Sequence, residues 1–427
     1  MNFEKYIPLW EKSGLDAQGM LNGAKGRQTS YESIFKSQNN RPKALQDFSD
    51  WAIDAFATER IEEIYNAKQN GQKLVGTLCI YVPDEIIFAA NAISTGLCAG
   101  SEAGLIQAEK YLPRNTCSLI KGFFGLTFVK MCPFIELSDL IVGETTCDGK
   151  KKAYDIYKEI KDMYVMEIPQ CKRSADRELL LAEFKRFAKH IEELTGNKLT
   201  VESLKAGIKK VNEKRKAMMR FMETRKAENP PISGKDSLLL HQLATLFDVT
   251  QFTQSINKIA DELEERVSKN IGVAEPKAPR ILVTGCPMAN PNWKVYDVIE
   301  KAGGIIVSEE SCTGMRAISN LTKEEGNTVD ELIENIVDRY FKIDCACFSP
   351  NDERIENIID TAKKFKVDGV TNYALMFCAP FTTENYRVEQ ALAKANIPSL
   401  TIETNYSKED TEQIKLRVEA FFEMIQK

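Results

Sequence analysis

The stretch Asp368 to Phe381, DGVTNYALMFCAPF, most constrains the fold: an apolar run of strand type ends in a loop that carries Cys378. Its near-continuous apolar character predicts a strand buried on both faces, as in a parallel sheet covered by helices. The design recurs at Asp139–Gly143 (DLIVG), which leads to Cys147, and in the runs that lead to Cys286 and Cys312. Segments with apolar residues at helical spacing separate these runs. Alternation of this kind predicts an α/β protein with two Rossmann-like parallel-sheet domains and an additional helical domain.

Taken in order, residues 1–70 form an N-terminal helical segment, including a helix over Ala44–Tyr65. The first α/β domain is expected at 71–173. Its strands are predicted at Leu74–Tyr81, Ile93–Leu97, Asp139–Gly143 and Tyr164–Ile168, with helices over Val82–Asn91 and Lys150–Met163. Residues 174–273 read as a helical domain with helices at Arg177–Thr195, Thr200–Lys226 and Ser237–Ser268, broken at Pro230-Pro231. The second α/β domain is expected at 274–427, with strands at Ile281–Thr284, Gly303–Ser308, Val367–Met376 and Ser399–Glu403. The two α/β units read as copies, with cysteines at matching places. The basic run Lys205–Lys226 reads as a solvated helix face, or else as a docking face for an acidic partner.

The chain has 427 residues, a net charge of −5 and no apolar run long enough to span a bilayer. That balance argues against a nucleic-acid protein, and the N-terminus lacks a secretory pattern, so a cytoplasmic protein is expected. A reducing compartment makes the eleven cysteines informative, because structural disulfides are disfavoured there. No C-x-x-C pair occurs, which counts against a zinc ribbon or a thioredoxin-like motif. His190 and His241 fall within helical stretches and read as ordinary helix or core residues.

Ligands in open parallel sheets bind beyond the carboxyl ends of the strands. Cys147, Cys286, Cys312 and Cys378 all follow such ends, and loops at Cys117 and Cys345/Cys347 add to them. A lone cysteine is commonly a buried small hydrophobe, which suits Cys79, Cys132 and Cys171. It fits poorly for cysteines in glycine-, proline- and Asx-rich loops, where irregular backbone suits iron–sulfur ligation. Two such domains facing each other predict one iron–sulfur site between them.

The chain resembles the 2-hydroxyacyl-CoA dehydratase and benzoyl-CoA reductase superfamily along nearly its whole length. The carrying pieces are Tyr81-Val82-Pro83-Asp84-Glu85, Asn115-Thr116-Cys117, Asp139–Gly143 leading to Cys147-Asp148-Gly149, Glu310-Ser311-Cys312-Thr313-Gly314-Met315-Arg316, Cys345-Ala346-Cys347, and Asp368-Gly369-Val370 leading to Cys378. The resemblance implies a [4Fe–4S] cluster held by Cys117, Cys147 and Cys378. Cys286 departs from the dehydratase pattern and, with Cys312 and the Cys345/Cys347 pair, resembles the branch that holds a double-cubane [8Fe–9S] cluster with six cysteines. There, Cys286, Cys312 and Cys345 are assigned to the second cubane, with Cys347 the alternative to Cys345.

The resemblance further implies a homodimer working without oxygen. It would reduce a small molecule with low-potential electrons from a separate ATP-hydrolysing [4Fe–4S] activator. The absence of a G-x-x-x-x-G-K-[ST] loop agrees with the ATPase being another protein. The alternatives are an acyl-CoA dehydratase subunit with a single [4Fe–4S] cluster, a non-catalytic electron carrier, and an α/β binding protein with buried cysteines. Glu144, Thr145, Thr146, Glu310 and Ser311 flank the ligand loops, and no catalytic residue is assigned among them.

Overall fold

A computed structural model describes residues 2–426. It contains two four-stranded parallel sheets. The first comprises β1 (Leu74–Thr77), β2 (Ile93–Gly96), β3 (Leu140–Glu144) and β4 (Met163–Met166). The second comprises β5 (Arg280–Gly285), β6 (Ile305–Glu310), β7 (Gly369–Leu375) and β8 (Ser399–Thr404). The spatial orders are β2-β1-β3-β4 and β6-β5-β7-β8, so the second sheet repeats the first strand for strand. All pairings are parallel, with Thr77 opposite Gly96 and Val142, and Gly285 opposite Tyr373. In each sheet the winding reverses between the two central strands, which opens a crevice at their carboxyl ends.

β3, β6 and β7 are buried along their whole length, as in a sheet covered on both faces, and β6 and β7 take polar residues such as Ser308 and Asn372 into that burial. β1 stops at Thr77, four residues before the predicted end, and Leu78–Tyr81 turn away before the helix Asp84–Ala89. β6 runs two residues past its predicted end and carries Glu309 and Glu310 to the sheet's edge.

Two predicted helices are each divided in two. Ala44–Tyr65 splits into Lys43–Ala55 and Glu59–Gln69, because the Trp10 indole donates to the Ala57 carbonyl (2.7 Å) where Thr58 leaves helical geometry. Ser237–Ser268 splits into Gly234–Leu243 and Val249–Ser268. Asp248 starts the second by accepting from the amides of Thr250 and Gln251 (2.9 and 3.0 Å). The carbonyls of Thr245 and Leu246 in the break accept instead from the Gly96 amide and the Arg60 guanidinium.

Helix Val201–Thr224 packs between Asp84–Ala89 and Val249–Ser268. Gly207 permits the first contact: a β-carbon there would lie 2.3 Å from the Glu85 carbonyl oxygen. The basic run on this helix is only partly a solvated face, because Arg215 and Arg225 are buried and ion-paired with Glu85 and Glu309. Helix Val329–Tyr340 lies between β6 and β7 in sequence, yet it packs on Ser174–Thr195. Its apolar residues, and those onward to Phe348, join the core around β1 and β3. Cys345 and Cys347 are thereby carried to the edge of the first sheet.

Candidate functional site

The carboxyl ends of both sheets open on one cavity of about 570 Å³. All seven cysteines singled out from the sequence line it: Cys117, Cys147, Cys286, Cys312, Cys345, Cys347 and Cys378. Cys132 and Cys171 do not. Cys79 and Cys98 also line it, the first against the expectation of simple packing. Each lies two residues past the end of its strand, β1 or β2; the sequence concealed this for Cys79, because LVGTLCIY reads as one unbroken run, whereas Cys98 directly follows the predicted strand Ile93–Leu97.

The thiols fall into two groups. In the first, Cys117, Cys147 and Cys378 each immediately precede a helix: Ser118–Val129, Asp148–Tyr157 and Ala379–Lys394. Helix N-termini present free N–H groups that favour a thiolate. The Lys150 amide donates to Cys147 Sγ (3.4 Å), and the Leu375 amide donates to Cys286 Sγ (3.2 Å). Cys378 adjoins both Cys117 and Cys286, so Cys286 groups here with Cys378. Gly285 makes this approach possible: its φ is +135° and a β-carbon would stand 1.8 Å from the Tyr373 carbonyl oxygen.

The second group is Cys312, Cys345 and Cys347, with Cys79 nearby. Arg316 Nη1 donates to Cys312 Sγ (3.5 Å), and the same guanidinium lies 3.5 Å from Asp344 Oδ1 and bonds Glu310. Glu310 also accepts from Thr284 and from Arg354 Nη2 (3.1 Å). On the first sheet Glu144 accepts from Thr146 (2.8 Å) and from the Lys150 ammonium. Glu144 and Glu310, flagged from the sequence only as flanking residues, are thus the buried counter-charges of two cations beside the thiols.

Without a ligand, burial keeps most of these thiols protonated. The Cys378 thiol and burial hold Cys117 well above the usual thiol range. Burial raises Cys147 against the pull of Lys150, and lifts Cys312 to about 11 against Arg316. Cys345 moves the other way, to about 7, because Cys347 and then Arg316 favour its thiolate. Burial opposes the Lys150 charge, but Glu144 more than offsets it.

His241 also lines the cavity, which its place in a helical stretch did not reveal. It is buried beside Glu309 (3.5 Å), and burial lowers it to about 4, so it is neutral near pH 7. His190 lies elsewhere, against the Tyr164 ring. At the cavity wall Phe377 is half-exposed in a left-handed conformation (φ +68°) beside Cys378.

Residues 79–425 match the family model described as 2-hydroxyglutaryl-CoA dehydratase, D-component. The chain belongs to this family. It is similar to YjiM of Escherichia coli (strain K12), a candidate dehydratase subunit by name, with 36% identity over 90% of this chain and 98% of that protein. It is 25% identical to the (R)-phenyllactyl-CoA dehydratase beta subunit of Clostridium sporogenes, over 91% of this chain and all of that one (100%). A benzoyl-CoA reductase subunit of Thauera aromatica is 20% identical over 77% of this chain and 85% of its own. The superfamily expected from the sequence is therefore the right one. Among the described residues no helix is long and apolar enough to cross a membrane.

Proposed function

We propose that this dehydratase-family chain is an iron–sulfur reductase component that holds a double-cubane cluster and reduces a small molecule with electrons from a separate ATP-hydrolysing activator. One observation carries the reading: seven cysteines from six loops of two sheets converge on a single cavity. The donor set suits a polynuclear group. The thiols ring the cavity in two groups. Amides and a guanidinium directed at sulfur are the contacts that stabilise thiolate-bound clusters and tune their potentials.

Cys117, Cys147 and Cys378 would hold one cubane, and Cys312, Cys345 and Cys286 the other, with Cys286 at the seam. Cys345 is preferred to Cys347 because Arg316 faces Cys312 and Cys345, while Cys347 faces the Tyr81 hydroxyl. When bound, such a cluster supplies single electrons at low potential. The chain's own part is to fix the thiolates by backbone, to balance their charge with Lys150 and Arg316, and to shield the site from water. The relatives named as subunits favour work in a complex, and a homodimer with the activator as partner is the assembly proposed here.

Iron and acid-labile sulfide per chain, measured on protein purified without oxygen, test the reading. About eight irons are expected, since two cubanes are then required. About four would favour a single-cluster acyl-CoA dehydratase subunit, as the Clostridium sporogenes relative's name suggests. A chain with intact thiols and no iron would end the cluster proposal.

A further inference from the structure

Beside the thiols, the cavity is walled by Val211 and Met218 of helix Val201–Thr224, by Val82 and by Ile318. We infer that it binds a small carboxylate through Arg339, so that the molecule presented to the thiols is an unsaturated acid with a short apolar body. The inference rests on the cluster reading, in which the neighbouring thiols hold the reductant.

The argument is one of charge balance. Four cations line the cavity: Lys150, Lys214, Arg215 and Arg339. Lys150 pairs with Glu144, Lys214 with Asp84 (3.3 Å) and Arg215 with Glu85 (2.7 Å). Arg339 is only 2% exposed, yet among the described residues no carboxylate lies within 4.0 Å of it. Glu85 supports that charge only from a distance, because its two oxygens are bonded by Arg215, Thr322 (3.0 Å) and the Tyr340 hydroxyl (2.8 Å). Burial and the nearby Arg215 charge pull Arg339 down to about 10, outweighing the support it has from Tyr340 and Glu85.

The plainest role for Arg339 is to hold the loop after Cys312. Its Nη2 donates to the carbonyls of Ala317 (2.6 Å) and Ser319 (3.3 Å), and its Nε donates to that of Asn320 (3.3 Å). Those carbonyls fix the side chain but do not neutralise it. Nη1 makes no hydrogen bond among the described residues, and the guanidinium's remaining neighbour is the Tyr340 ring, whose centroid lies 4.7 Å away. A buried charge is ordinarily paired, and the partner missing here is an anion. The remaining walls are apolar or already paired, which leaves room for a short hydrocarbon body and little that would reward a second charge.

Calorimetric titration of the oxygen-free, iron-loaded protein with crotonate and with crotonamide, its neutral isostere, tests this. Crotonate is expected to bind at least about tenfold more tightly, as loss of a buried ion pair implies. Arg339→Gln should bring crotonate down to the amide's affinity with iron content unchanged, and Arg339→Lys should keep a preference for the acid. Equal binding of acid and amide, binding of neither, or crotonate affinity that survives Arg339→Gln overturns the proposal. If Arg339→Gln sheds iron through the carbonyls it holds, the acid-to-amide ratios of the unsubstituted protein and of Arg339→Lys decide. Failure of the cluster reading looks different: acid preference in a chain without iron retains the carboxylate site and removes the reductant, whereas full iron without acid preference removes only the site.

Discussion

The two sheets carry the same strand order, but the sulfurs at their carboxyl edges fall into two groups held by different means. On the first, Cys117 and Cys147 precede helices of twelve and ten residues, and backbone amides face their sulfurs. Cys378, from β7, is placed in the same way. Around Cys312 and Cys345 a side chain does that work: Arg316 bonds Cys312 and is held by Glu310, which Arg354 also grips. Amides are fixed by the helix they begin, whatever the residue type. A guanidinium can be removed by one substitution. The two sheets share a topology while their electrostatic surroundings differ, which gives two unequal sulfur environments within one cavity.

The largest effect tests whether the environments hold separate clusters. Cys117→Ala and Cys312→Ala should each leave about half the iron, roughly four atoms per chain, while Cys132→Ala leaves it unchanged. Total loss of iron in both variants would show that the two groups stand or fall together. Next in size are the counter-charges. Glu310→Gln strips two guanidiniums of their shared carboxylate and should cost about 3–5 kcal/mol in denaturant unfolding, the range for breaking a buried pair. Glu144→Gln releases one ammonium that is less deeply buried, and should cost about 1–3 kcal/mol. Equal losses would erase the contrast between the edges.

Behind Glu310, the dependence on side chains continues through Glu309 to His241, which also faces the Arg225 charge. The folded value of about 4 lies below the ordinary 6.5, so as pH falls the unfolded chain takes up the proton first. Stability is therefore fully present above pH 6.5 and is lost as pH falls toward 4, by up to about 3 kcal/mol from this group. His241→Gln should flatten that part of the stability profile. An unchanged slope would mean that another group sets the acid limit of the second edge.

Much of this was legible because strands buried on both faces are largely apolar, and a parallel sheet puts its loops at one end. Cys147, Cys286, Cys312 and Cys378 follow from that rule alone. Cys79 was misjudged because an unbroken apolar run does not say where the ladder stops, and β1 stops at Thr77. Arg215 and Arg225 lie in a charge run whose buried turns are chosen by partners 84 to 130 residues away in sequence. The break at 244–248 was equally hidden, since the groups that claim its carbonyls, the Gly96 amide and Arg60, belong to distant parts of the chain. His241 reaches the cavity at the end of the helix before that break.

The finest test of the two edges is redox. Arg316→Gln removes one charge-assisted hydrogen bond from Cys312 and leaves the amides around Cys117, Cys147 and Cys286 untouched. Hydrogen bonds to sulfur stabilise the reduced, more negative cluster, so losing this one should lower a midpoint potential. A bond to a charged group is worth about 1.5 kcal/mol, which for one electron is about 60 mV. Potentiometric titration followed by electron paramagnetic resonance should therefore show one signal moving down by that amount and the other staying in place. Movement of both signals together would mean that the cubanes share their charge across the seam at Cys286, and that the asymmetry of the protein around them is not felt as two potentials. Arg316→Lys, which keeps the charge but not the planar fork, should restore part of the shift if charge is what the sulfur feels, and none if the directed N–H is.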